Sequence, residues 1–69
     1  MTQNGRVVGN VEFRPGDGVR MPIPKGNIEV ETSEADATLS WRDGQTRGAA
    51  TMPLNEFNQY VRDGAISLN

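Results

Sequence analysis

Apolar and polar residues alternate along most of the chain, and glycine and proline separate the alternating segments, which is typical of short β-strands with tight turns. Residues 7–13, VVGNVEF, predict a first strand with Val7, Val11 and Phe13 on one face. Residues 14–18, RPGDG, predict a hairpin loop, because proline fixes φ and glycine permits positive φ. Residues 19–23 predict a strand at a sheet edge, since prolines remove two backbone donors from one of its sides.

Turn chemistry alone predicts the strand register of two further hairpins. A loop at residues 33–36 makes Val30 face Leu39 and Ile28 face Trp41. A two-residue Asp43-Gly44 loop makes Ser40 face Arg47 in the next hairpin. A slip of one residue in either hairpin would mix the two faces, so their agreement favours both registers. One predicted face is apolar (Ile28, Val30, Leu39, Trp41) and the other is polar (Glu29, Glu31, Ser40, Arg42, Arg47).

The segment MPLNEFNQYVRDG predicts a C-terminal helix. Pro53 suits its first turn, and Gly64 suits a left-handed stop after its last turn. The helix should lie across Gly48 and Ala50, two small residues of the last hairpin strand, and against Trp41. The apolar residues that recur at helical spacing are Leu54, Phe57 and Val61. Residues 65–69, AISLN, predict a short last strand.

These elements predict an α+β fold in one domain, residues 1–69. Its sheet is a small antiparallel β-meander of about five strands, packed against one C-terminal helix. The sheet is expected to stay open or to curl into a partly open, SH3-like barrel, a comparison that depends on strand number and length alone. Trp41 should be buried in the core between Ile28 and the helix that carries Phe57.

Composition argues against several classes of chemistry. The chain has no cysteine and no histidine, so it lacks disulfides, thiolate metal sites and the usual general base near neutral pH. The glycines of residues 14–18 lack the spacing and the lysine of a phosphate loop. A chain of 69 residues offers hardly any cleft for paired carboxylates, and TSEADAT is too sparse in oxygen ligands for a calcium loop. We therefore expect no enzymatic activity, no cofactor and no metal.

The distribution of charge is more informative than the net charge of −2. Residues 26–41 hold four acids and no base, so an acidic strip is expected beside a mildly basic remainder. The leading prediction is a small cytoplasmic, non-catalytic binding or accessory protein that meets a protein partner or a second copy of itself. Its contacts should lie either on the polar sheet face or on the edge strand at residues 19–23. The candidate interaction residues are Glu29, Glu31, Arg42, Arg47 and Arg20.

Two other functions stay open. A nucleic-acid-binding module would use arginines, but the isoelectric point near 4.9 and the single lysine make nucleic acid the weaker partner. An acidic decoy or inhibitor, suited to a phage or plasmid protein, would use the acids against a basic partner. Tyr60 beside Arg62 is a further candidate contact. The two sets are Arg6, Arg14, Arg20, Arg42 and Arg47 for nucleic acid, and Glu29, Glu31, Glu34 and Asp36 for the decoy.

Membrane contact is not expected. No apolar run is long enough for a membrane span or a signal-peptide core, and the polar start, MTQNGRVVGN, shows no targeting pattern. A cysteine-free chain with these features is expected in the cytoplasm.

Overall fold

The computed structural model describes residues 2–14 and 18–68, without the side chains of Asp43 and Thr46. These residues form a five-stranded antiparallel sheet, a two-stranded ribbon and one helix, which confirms the predicted α+β fold. The sheet stays open, with β6 and β7 at its edges. The elements are β1 (Thr2–Val7), β2 (Glu12–Phe13), β3 (Met21–Pro22), β4 (Gly26–Thr32), β5 (Asp36–Asp43), β6 (Thr46–Pro53), α1 (Leu54–Arg62) and β7 (Ile66–Leu68).

The strand order of the main sheet is β6-β5-β4-β1-β7, so only β4, β5 and β6 form a meander. Strand β1 pairs with β4, and β7 pairs with the outer side of β1. The first strand predicted at residues 7–13 is therefore wrong, because β1 ends at Val7 and consists mostly of polar residues. Its backbone completes the ladder of β4, and Gly5 and Val7 are its two buried residues. Pairing with an apolar neighbour thus overrides a weak local pattern.

The predicted edge strand at residues 19–23 lies in the separate ribbon, where Met21 faces Phe13. Its expected single apolar face is split, because Ile23 is buried whereas Val19 is 81% exposed. The backbone amide of Ile23 donates to the carbonyl of Val11 at 2.8 Å, which anchors the ribbon to the core. Most of the predicted loop at residues 14–18 lies outside the described residues.

The two hairpin registers have different outcomes. The β4–β5 register is confirmed, with Val30 opposite Leu39. The β5–β6 register differs by two residues, because Arg47 lies opposite Arg42 rather than Ser40. The cause is Gly44, which has φ of 65° and occupies the first position of a Gly44-Gln45 loop, as a type II′ turn requires. A shift of two preserves the faces, so the polarity pattern could not detect it.

We call the buried side of the main sheet the inner face. The helix and the ribbon both pack on it, and residues from the sheet, ribbon and helix form one apolar cluster. The buried members are Val7, Val11, Ile23, Ile28, Val30, Ala37, Leu39, Ala50, Met52, Phe57 and Ile66.

Backbone hydrogen bonds fix both ends of the helix. The amide of Leu54 donates to the carbonyl of Ala35 at 2.9 Å, which ties the helix start to the β4–β5 turn. After the helix, Gly64 adopts φ of 83°, and the amide of Ala65 donates to the carbonyl of Tyr60 at 3.0 Å. The predicted helix and its glycine stop are confirmed.

Trp41 lies on the inner face opposite Ile28, as expected, but it is only partly buried. Its ring lies over Gly48, where a Cβ atom would overlap the indole. The aromatic ring nearest to it is Phe13 of the ribbon, 6.0 Å away between centroids, rather than Phe57 of the helix. The expectation of full burial under the helix is therefore wrong, because the ribbon covers this end of the sheet.

Candidate functional site

The other side of the main sheet, here the outer face, carries side chains that alternate with the core residues. None of them is buried, and no described element packs on them. No aromatic side chain is among them. They are Thr2, Asn4 and Arg6 of β1, Asn27, Glu29 and Glu31 of β4, Thr38, Ser40 and Arg42 of β5, Arg47, Ala49 and Thr51 of β6, and Ser67 of β7.

Strand register arranges the outer face in rows. Arg6 lies opposite Asn27, and Arg42 lies opposite Arg47. Continuing the β4–β5 register by one pair places Asn27 beside Arg42, so these four residues form one row across four strands. We call it the arginine row. The next row consists of Asn4, Glu29, Ser40 and Ala49, and the third consists of Thr2, Glu31, Thr38 and Thr51.

The arginine row lacks acidic partners within the described side chains. Neither Arg42 nor Arg47 lies within 4.0 Å of a described carboxylate, although acidic residues share the outer face with them. Instead the two arginines face each other, and like charges directly opposite across two strands destabilise a sheet. Arg6 Nε donates to Asn27 Oδ1 at 3.4 Å, and this acceptor carries no charge that could balance the guanidinium. Among the described side chains, the row is therefore a concentration of positive charge without an ion pair, and Glu29 lies in the next row.

The first two rows, apart from Arg6, line an open depression of about 930 Å³ on the outer face. Its side chains include Arg42 and Arg47 at one end and Glu29 in the middle. Each guanidinium offers planar, forked donors that match carboxylate or phosphate oxygens. The depression thus presents charges of both signs to a polar ligand.

Acidic residues extend from the middle of the same face to the end opposite the arginine row. Glu29 and Glu31 are exposed on β4, and Glu34 and Asp36 are exposed at the β4–β5 turn. The arginine row lies near the Gly44 turn, at the other end of the hairpin. The outer face is therefore bipolar along its strands.

Arg20, the fifth predicted interaction residue, lies away from the other four. Its guanidinium is 3.4 Å from Glu56 Oε1 of the helix and 4.0 Å from Glu12 Oε1 of the ribbon. Its position beside the Tyr60 hydroxyl, and then beside the two carboxylates, raises the pKa of Arg20 above its ordinary value. Arg20 thus links ribbon and helix on the inner side of the sheet.

Tyr60, the predicted exposed contact, is partly buried and has a similar linking position. Its hydroxyl donates to the carbonyl of Glu12 at 3.1 Å, and the amide of Glu12 donates to the hydroxyl at 3.3 Å. Both Tyr60 and Arg20 therefore join the ribbon to the helix.

Sequence reasoning missed Asn4 and Asn27 as members of the site. Asn4 belongs to β1, whose polar sequence carries little strand signal. The alternation of Gly5 and Val7 with Arg6 was the available sign that Asn4 and Arg6 share the polar face.

The bipolar outer face is the main evidence on function, because comparisons with known proteins identify no relative. Among the described residues, no group of three or more side chains is placed to hold a metal ion, and no helix is long and apolar enough to cross a membrane. No family model, curated protein or solved structure matches the chain.

Proposed function

We propose that this protein is a small, non-catalytic binding module that recognises another protein through its outer face. The observation that carries the proposal is the arginine row, which places Arg42 opposite Arg47 on an uncovered surface. This arrangement does not help the fold, because like charges oppose each other without a described acidic partner. A partner's carboxylates would supply the missing compensation.

The bipolar outer face defines the chemistry of the partner. Acidic side chains of the partner would lie on the arginine row, and basic side chains would lie near Glu29 and Glu31. Such complementarity increases the association rate and fixes the orientation of the complex. A polar, open face also suits a transient contact better than a permanent one. As part of the proposal, we assign this contact to the cytoplasm, in keeping with the cysteine-free sequence.

Nucleic acid is the weaker alternative for two reasons. Single strands bind mainly by stacking on exposed aromatic rings, whereas Trp41 and Phe13 lie on the inner face. Glu29 and Glu31 would also repel a phosphate backbone near the arginine row. We expect oligonucleotides to bind more weakly than about 100 μM at physiological salt, the level of non-specific association.

An acidic decoy is disfavoured by the arginine row itself. A basic partner that approached Glu29 and Glu31 would meet repulsion from Arg42 and Arg47 on the same face. The decoy would therefore need contacts confined to the β4–β5 turn, around Glu34.

Capture from an extract of the source cells tests the proposal. The double variant Arg42→Glu/Arg47→Glu is compared with Arg14→Glu/Arg62→Glu, which changes net charge equally at exposed positions off the outer face. Proteins retained by the wild type should be lost with the first variant and kept with the control. Equal retention by both variants would contradict the proposal, and selective enrichment of nucleic acid would favour the alternative.

Amide shifts of the labelled protein should then locate the contact. A captured partner should shift the signals of Asn4, Glu29, Ser40 and Arg42, while signals of α1 stay in place. Shifts confined to α1 would contradict an outer-face site.

A further inference from the structure

Among the residues that the structure describes, strand β6 pairs only with β5, so one side of its backbone has no strand partner there. Asp43 and Thr46 flank the two-residue loop at Gly44, and in such a hairpin the flanking residues form a hydrogen-bonded pair. Hydrogen-bonded pairs recur at every second position of an antiparallel ladder. The amides and carbonyls of Arg47, Ala49 and Thr51 therefore point away from β5. Pro53 belongs to the same alternating set of residues, so the N–H that proline lacks would not have bonded to β5.

This edge carries little of the usual protection against pairing with another chain. Its register with β5 runs without a bulge from Thr46 to Pro53, and the strand contains no lysine. Ala49 and Thr51 are exposed, and Arg47 is the only charged residue on the strand. The other edge strand, β7, spans only Ile66–Leu68. Long exposed edges without such protection are ready templates for a further strand.

The β6 edge is self-complementary. In an antiparallel pair of two copies, Ala49 lies opposite Ala49 of the second copy and Arg47 lies opposite Thr51 of the second copy. The outward groups of these three residues then form about six backbone hydrogen bonds. Gly48, Ala49 and Ala50 are small, so side chains at the centre do not hinder close approach.

Charge also favours the antiparallel arrangement. It aligns the arginine row of one copy with the row of the other copy that contains Thr51, Thr38 and Glu31, rather than with another arginine row. A parallel pair through the same edge would turn one sheet over, so the outer faces of the two copies would lie on opposite sides.

We propose that the β6 edge binds a second copy of this chain, antiparallel and centred on Ala49, so that one sheet runs through both copies. The contact goes beyond the proposed binding of another protein, because it uses backbone groups of β6 and needs only the purified chain. A seam of one strand pair buries less surface than the roughly 1,200 Å² that stable complexes bury. The dimer is therefore weak, and its population depends on protein concentration.

Sedimentation equilibrium of the purified chain from about 10 μM to 1 mM tests this register with Ala49→Lys and Ala49→Glu. Each variant alone places like charges opposite each other across the two-fold axis, and its dimer should be weakened at least ~10-fold. An equimolar mixture of the two variants should dimerise more tightly than either alone, because opposite charges then meet. Ser67→Lys and Ser67→Glu, at an exposed outer-face position on β7, should leave the wild-type association unchanged.

Amide spectra first establish that each variant keeps the fold, as expected for an exposed residue. If Ala49→Lys loses the fold, Thr51→Lys and Arg47→Glu provide a second complementary pair at the same seam. A wild-type chain that stays monomeric at about 1 mM would overturn the proposal. It would also be overturned by a mixture that associates no better than the single variants, or by Ser67 variants with the same effect. Retention of a captured partner is measured separately on the wild-type chain. Failure of the β6 dimer would therefore leave the proposed binding through the outer face standing.

Discussion

The two faces of the main sheet are formed by the same strands but have opposite roles. On β5, Leu39 is 0% exposed beneath the helix side of the sheet, whereas its neighbour Ser40 points to solvent. The inner face is covered by α1 and by the β2–β3 ribbon, and the outer face is uncovered by any described element. Stability therefore depends on the inner face, and the outer face is free to carry charges that the fold does not need.

Replacement of Leu39 by alanine should produce the largest effect. Removing a fully buried leucine side chain leaves a cavity and should lower the free energy of unfolding by about 2–5 kcal/mol. Ser40→Ala, the neighbouring change on the outer face, should stay within about 0.5 kcal/mol. Urea unfolding of both variants measures the contrast. Similar losses at the two positions would contradict the assignment of stability to the inner face.

Gly48→Val tests the ribbon end of the inner face. Its side chain would overlap the Trp41 ring, so unfolding should become easier by about 1–3 kcal/mol. The displaced ring should also become more exposed, and its fluorescence should shift to the red. Ala49→Val is the control, because the side chain of Ala49 points to the outer face. An unchanged spectrum for Gly48→Val would contradict the packing of Trp41 on Gly48.

Tyr60→Phe tests the tie between helix and ribbon. The variant loses both hydrogen bonds to the Glu12 backbone, each worth about 0.5–1.5 kcal/mol net. Hydrogen exchange should become faster in β2 and β3 and stay unchanged in β4 and β5. Uniformly faster exchange would show that the ribbon does not open independently of the sheet.

The two hairpins show what the sequence can and cannot predict. The β4–β5 register was predictable, because a short loop at Ser33 and the alternation of Val30 and Leu39 agree. The β5–β6 register was wrong by two, because polarity has a period of two and cannot separate Ser40 from Arg42 as the partner of Arg47. That error concealed the arginine row, since it placed Arg47 opposite Ser40, in the row of Glu29, rather than opposite another arginine.

Strand β1 was not predictable from local pattern. Its polar residues, such as Asn4, form a strand because β4 offers a ladder about 25 positions later in the chain, from Gly26 onward. The same long-range pairing brings Arg6 into the arginine row. The positions of Glu29 and Arg42 on an open polar face were thus predictable from the sequence. The part of that face formed by β1 could be recognised only in the three-dimensional structure.

The smallest expected effect gives the most direct test of the outer face. Arg42→Glu replaces an arginine pair by an opposite-charge pair with Arg47, so in dilute, low-salt solution it should raise the free energy of unfolding by about 0.2–1 kcal/mol. High salt should remove the gain, because screening weakens exposed charges. Arg62→Glu, an exposed change at the helix end, is the control and should give no gain. Urea unfolding at low and high salt should therefore find Arg42→Glu more stable than the wild type only at low salt. A less stable Arg42→Glu at low salt would show that the arginine row serves the fold and would contradict its assignment to a partner.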